Sequence, residues 1–71
     1  MKLHYYPETD SLYIELSSAP SAETRSITDT LNIDFGADGG VVGIDIDHAS
    51  AQLDLATLET SALPIQALRA A

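Results

Sequence analysis

Asp34, Asp45, Asp47 and His48 crowd the middle of this chain, and with Tyr6 and Tyr13 upstream they are the residues whose types and spacing bear on chemistry. Carboxylate oxygens of this kind suit a divalent cation, most simply across paired strands that bring Asp34 and Asp45 together. Two carboxylates are also the equipment of general acid–base catalysis, provided a cleft holds them apart and separates their pKa values. A sheet this small offers little to enclose such a cleft. His4 and His48 do not form an HxxxH pair and cysteine is absent, so a zinc site is not expected. Serines are plentiful, but the Gly-x-Ser-x-Gly elbow of a hydroxyl nucleophile is missing. Gly36, Gly39, Gly40 and Gly43 lack the Gly-Lys-Ser/Thr and following helix of a phosphate loop; they read as a turn and a close backbone approach. The expectation is therefore no catalysis, no cofactor and no tightly held metal, with the acids forming a solvated outer strand face.

The elements that position these residues are mostly strands. Leu3 and Tyr5 alternate with Lys2, His4 and Tyr6, and Pro7-Glu8-Thr9-Asp10 then turns the chain into Ser11 to Leu16, predicting a hairpin. Leu12, Ile14 and Leu16 take its inner face, and Tyr13 with Glu15 the outer one, where Tyr6 and Tyr13 are placed for a cross-strand aromatic pair. Ser17 to Ser21 reads as a connection across a sheet end, and Glu23 to Ile27 as a polar edge strand. Leu31, Ile33 and Phe35, then Val42, Ile44 and Ile46, are written as two alternating runs around a Gly/Asp turn, the clearest hairpin in the chain.

From Ala49 the apolar period lengthens, with Leu53, Leu55, Leu58 and Leu63 among polar residues, which predicts a C-terminal helix capped by Ser50 or Asp47. Leu53 and Leu55 stand two apart and do not share a narrow stripe, so the helix either buries a wide face or begins after Asp54. Pro64 ends it or opens a second turn, Ile65 to Leu68, before a frayed Arg69-Ala70-Ala71. The predicted fold class is α+β: one small domain over residues 1–71, an antiparallel meander of four to five strands with a C-terminal helix on one face. Its predicted core is Leu12, Ile14, Leu16, Ile33, Phe35, Val42, Ile44 and Ile46, with Leu53 and Leu58 added from the helix.

Eleven acidic residues against three basic ones give a formal charge of -8, a field that repels phosphate backbones and anionic lipid. Direct nucleic-acid binding is disfavoured, and a basic protein is the partner such a charge steers toward. No apolar run approaches the roughly 20 residues that cross a bilayer, and Met1-Lys2-Leu3-His4-Tyr5 starts no signal-peptide core, so a soluble cytoplasmic protein is expected. A chain of 71 residues without cysteine has neither a large core nor disulfides, and a homodimer is the expected remedy.

Tyr5-x-Pro7-Glu8-x-Asp10-x-Leu12-Tyr13-Ile14-x-Leu16, then Glu23-Thr24-Arg25, Asn32-Ile33-Asp34-Phe35, Asp38-Gly39, Val42-Gly43-Ile44-Asp45-Ile46 and Ala49-Ser50, taken in that order and spacing, resemble the small prokaryotic family known as domain of unknown function 2283. The resemblance covers residues 1–50, leaves the tail of residues 51–71 outside, and carries over Asp10, Tyr13, Asp34, Gly39, Gly43 and Ala49 with no catalytic duty. Asp45 stands where glutamate is common. The resemblance implies a compact sheet ending in a helix and, because some members are encoded beside toxin-like proteins, an antitoxin or accessory role. The functional expectation is thus a non-enzymatic protein-interaction module, an antitoxin-like acidic partner of a basic protein, with Tyr6, Tyr13, Asp34, Asp45 and Asp47 as its candidate face. The alternative is a homo-oligomeric protein that binds a ligand or metal on the same acidic sheet face.

Overall fold

The computed structural model describes residues 1–67 and 69. It contains five strands, β1 (Lys2–Tyr6), β2 (Ser11–Glu15), β3 (Glu23–Thr28), β4 (Leu31–Phe35) and β5 (Val41–Ile46), followed by a single helical turn, α1 (Ala49–Gln52). This is the α+β architecture that the alternating runs predict, and every strand pairing is antiparallel.

The spatial order is β1-β2-β5-β4-β3, so the sheet departs from a sequential meander at one place. After β2 the chain crosses to the far edge, and β5 returns to fill the centre. The crossing is the Ser/Pro segment after β2: the Leu16 and Ser17 N–H groups both donate to the Val42 carbonyl, at 2.8 and 3.3 Å, and Ala22 N–H donates to the Phe35 carbonyl at 2.8 Å. Held along the end of β5 and β4, the segment delivers β3 outside β4. Composition explains which strand goes where. Val41, Val42, Ile44 and Ile46 make β5 richest in β-branched apolar residues and suited to the centre, whereas polar β3 tolerates an edge.

Register then sorts the side chains into two faces. Tyr5 pairs with Leu12 and Leu3 with Ile14; Leu12 and Ile14 face Ile46 and Ile44 across β5, and these face Leu31 and Ile33 on β4. One continuous apolar face results. His4, Tyr13, Asp45 and Asn32 form the next row across the sheet, on the opposite, polar face.

The C-terminal segment corrects the predicted helix. Leu53 N–H closes the single turn of α1 on the Ala49 carbonyl at 2.8 Å, and Leu53 itself is extended at φ -126°, ψ 149°. Apolar residues two apart, Leu53 and Leu55, fit an extended chain, and the first turn has no acidic residue and the last no basic one. A four-residue helix has little cooperative length to resist this. Leu53 and Leu58 are accordingly not core residues, at 36% and 65% exposure, and Leu16 at the sheet end is 37% exposed. Among the described residues the buried apolar side chains are Leu12, Val42 and Ala49. Residues 65–67 are not helical, and Leu68, the end of the predicted second turn, lies outside the described residues, as do Ala70 and Ala71 of the predicted frayed end.

Neither predicted cap serves α1. His48 occupies the N-cap position in the left-handed region at φ 52°, with no side-chain capping bond. The cap comes instead from Asp10, some forty residues upstream in the β1–β2 turn. Its carboxylate accepts from Ser50 N–H at 3.1 Å and from Ser50 Oγ at 2.7 Å, and its carbonyl accepts from Ala49 N–H at 2.8 Å. Tyr5 Oη donates to the same carboxylate at 2.7 Å. These contacts hold Asp10 below the ordinary carboxylate pKa, the Ser50 hydroxyl bond contributing most and the Tyr5 bond next, against a smaller opposing effect of burial. Asp10 is also left-handed, at φ 52°, a conformation that aspartate tolerates better than most residues.

Candidate functional site

The polar face carries an open groove of about 390 Å³ lined by Tyr6, Tyr13, Thr24, Asn32, Asp34 and Asp45. All five strands contribute, and pairing explains the convergence. Tyr13 on β2 faces Asp45 on β5, Asp45 faces Asn32 on β4, and Asp34, one row along β4, faces Thr24 on β3. Asp34 also lies opposite Gly43.

Gly43 lets the groove take its shape. With no side chain there, the Tyr13 ring crosses β5 and its hydroxyl donates to Asp34 Oδ2 at 2.6 Å. A Cβ built on Gly43 would overlap that hydroxyl and stand 2.6 Å from the ring carbon that bears it. Thr24 Oγ1 donates to the other Asp34 oxygen. Asp34 thereby accepts two hydroxyl protons from two strands, and the Tyr13 pKa is pushed up to about 12, chiefly by the Asp34 hydrogen bond, with burial and the Asp34 charge adding to it.

Asp45 has a different environment. Burial is the largest influence raising its pKa, followed by the negative charge of Asp47 and, more weakly, of Asp34, while a hydrogen bond with Asn32 partly opposes them. Asp47 stands at the end of the polar face, outside the groove lining, and accepts from Ser11 Oγ at 3.1 Å. Among the described residues the one salt bridge is Arg25 with Glu23, at 3.3 Å. By strand alternation both members belong with Ile33 and Phe35 on the apolar side, and the Arg25 guanidinium lies 4.5 Å from the Phe35 ring centroid. The groove therefore holds carboxylates and phenols with no cation of its own among the described residues.

Of the sequence-predicted face, Tyr6, Tyr13, Asp34 and Asp45 come together and Asp47 stands beside them. The predicted Tyr6–Tyr13 pair is replaced: Tyr13 faces His4, Tyr6 faces Ser11, and the ring near Tyr6 is that of His4, with centroids 4.3 Å apart. Thr24 and Asn32 were not predicted. Their only sequence signal is alternation in step with Asp34, which acquires meaning once the β3–β4 and β4–β5 registers are fixed. Among the described residues no group of three metal-ligating side chains is close enough to hold an ion, and Asp34 already spends its oxygens on hydroxyl donors. No helix of the described residues is long and apolar enough to cross a membrane.

Comparison with known proteins agrees with the residue pattern. A family model described as protein of unknown function (DUF2283) matches residues 2–50, more than half of the chain, and the chain belongs to that family. No curated protein and no solved structure matches it.

Proposed function

We propose that this member of the family is a non-enzymatic protein-interaction module whose acidic, tyrosine-lined groove receives a cationic side chain of a basic partner protein, as an antitoxin-like chain would beside a basic toxin-like one. The observation that carries this reading is the Asp45 carboxylate, with Asp47 and Asp34 as acidic neighbours and Tyr6 and Tyr13 in the groove wall. A lysine or arginine entering the groove relieves that like-charge repulsion and gains a charge-assisted hydrogen bond. Tyrosine rings supply contact area at low entropic cost and attract a cation through their faces. The formal charge of -8 adds long-range steering toward a basic surface.

Affinity capture from the native host, followed by binding measurements with the retained protein from low salt upward, tests the proposal. A basic partner is expected, with affinity falling steeply as the screening length shrinks to about 8 Å near physiological ionic strength. Asp45→Asn weakens capture by about tenfold, the loss of one charge-assisted contact, while leaving the thermal midpoint intact. An affinity that is flat or rises with salt, or that ignores Asp45→Asn, rejects the groove as the docking surface.

A further inference from the structure

We propose that the apolar sheet face is closed by a second copy of this chain, the two sheets packing face to face about a two-fold axis. A sheet with one apolar face needs a second layer to bury it, and in this chain the layer is incomplete. The segment Leu53 to Leu58 lies over Leu3, Tyr5 and Leu12, at the β1–β2 side. On the β4–β3 side the same face carries Leu31, Ile33 and Phe35, which are half-buried, and Ile27, which is 51% exposed.

The dimensions agree. The accessible surface is 5548 Å², whereas a compact monomer of this mass exposes about 4,200 Å². The radius of gyration is 13.0 Å, against about 11 Å for a compact chain of this length. Part of that surplus lies in the extended segment after Gln52, where Leu55, Leu58, Leu63 and Ile65 are 40–65% exposed, and the sheet face shares the rest, against the roughly 800 Å² per partner that a standard stable interface buries.

Charge selects the occupant. By alternation, the charged residues that the strands place on this face are Glu23 and Arg25, which neutralise one another in a salt bridge. The groove carboxylates Asp34 and Asp45 lie on the reverse side. Two chains of charge -8 can therefore meet through the sheet surface on which the strands place no net charge, with Asp54 the acid of the strap beside it, and a basic protein would gain little electrostatic advantage there. An isologous contact requires only that the patch complement itself, and two sheets stack at about 10 Å with strands roughly 30° apart.

Light scattering on the full chain at micromolar concentration is expected to give twice the 7.5 kDa chain mass. The exposed edge variant Ile27→Glu is expected to raise the dimer dissociation constant at least tenfold with the strand signal in circular dichroism retained. Intermolecular methyl contacts in a mixed isotope-labelled sample of the unmodified chain supply a measurement that no variant can spoil by misfolding. They are expected among Ile14, Ile33 and Ile44. A monomer mass, which leaves the face to a different protein or to solvent, overturns the proposal. So does a dimer that is indifferent to Ile27→Glu, or one whose intermolecular contacts fall on the Tyr6–Tyr13 side.

Discussion

At the scale of single residues, the chain uses hydroxyl-to-carboxylate bonds where larger proteins use buried apolar volume. Tyr13 and Asp34 tie β2 to β4 across β5, and Tyr5 with Ser50 ties the first hairpin to the helical turn through Asp10. With its pKa pushed up to about 12, Tyr13 should ionise late, and an ultraviolet titration should show its step move toward the ordinary value of about 10 in Asp34→Asn. The sign for stability follows: a raised pKa gives a contribution present below about pH 10 and lost as pH climbs toward 12. Asp10 works in the opposite range. Its lowered pKa gives stability that is complete above the ordinary carboxylate value near 4 and fades as pH falls through the folded value. The deficit in thermal midpoint of Asp10→Asn relative to the parent should accordingly shrink in acid, and a deficit that stays constant with pH would assign the effect to turn geometry alone. Gly43→Ala should cost about 1–3 kcal/mol, the range for forcing atoms into an occupied space. Denaturant unfolding reads that loss, and removing the tyrosine hydroxyl in the double variant Gly43→Ala, Tyr13→Phe should recover part of it.

At the scale of elements, strand alternation made both faces legible, because a period of two assigns each residue of a run to one side once any neighbour is placed. Ile44 and Asp45 test that assignment most sharply. Ile44→Asp puts a carboxylate between Ile14 and Ile33 and should cost about 3 kcal/mol or more, enough to remove the thermal transition of a small domain. Asp45→Asn should hold or raise the midpoint at neutral pH, since burial and the Asp47 charge disfavour the ionised form that it removes. Equal losses in calorimetry would refute the faces. The tail departs from the predicted helix because its apolar spacing also suits an extended chain, with Asp54 Oδ1 accepting from Ala56 N–H at 3.1 Å in a local turn. The Asp10 cap was out of reach for a different reason. Capping residues are sought beside the helix they serve, and nothing in local sequence points from Ser50 to the turn after Pro7.

At the scale of the whole molecule, the strands, their pairing sense and the acidic face were legible, while the position of β5 was not, because neighbouring hairpins carry no mark that says which strand occupies the centre. The same limit applied to the groove: alternation put Asp34 and Asp45 on one side, but Thr24 and Asn32 joined them only through registers set by tertiary pairing. The two large faces differ in chemistry, one charged and aromatic, the other apolar. The central place of β5 also carries a kinetic consequence. β1–β2 and β3–β4 are each closed by local turns, but β2 acquires its second neighbour only when the last strand arrives, so the contact between Leu12 and Ile46 spans most of the family-matched region. During synthesis the first hairpin must wait beside an incomplete sheet. The closure of that long loop, rather than either local hairpin, is then the step that sets the folding rate. Stabilisation of the β1–β2 hairpin, already formed when that loop closes, would speed folding more than it would slow unfolding, and changes at the β2–β5 seam would likewise appear mainly in the folding arm of a chevron plot.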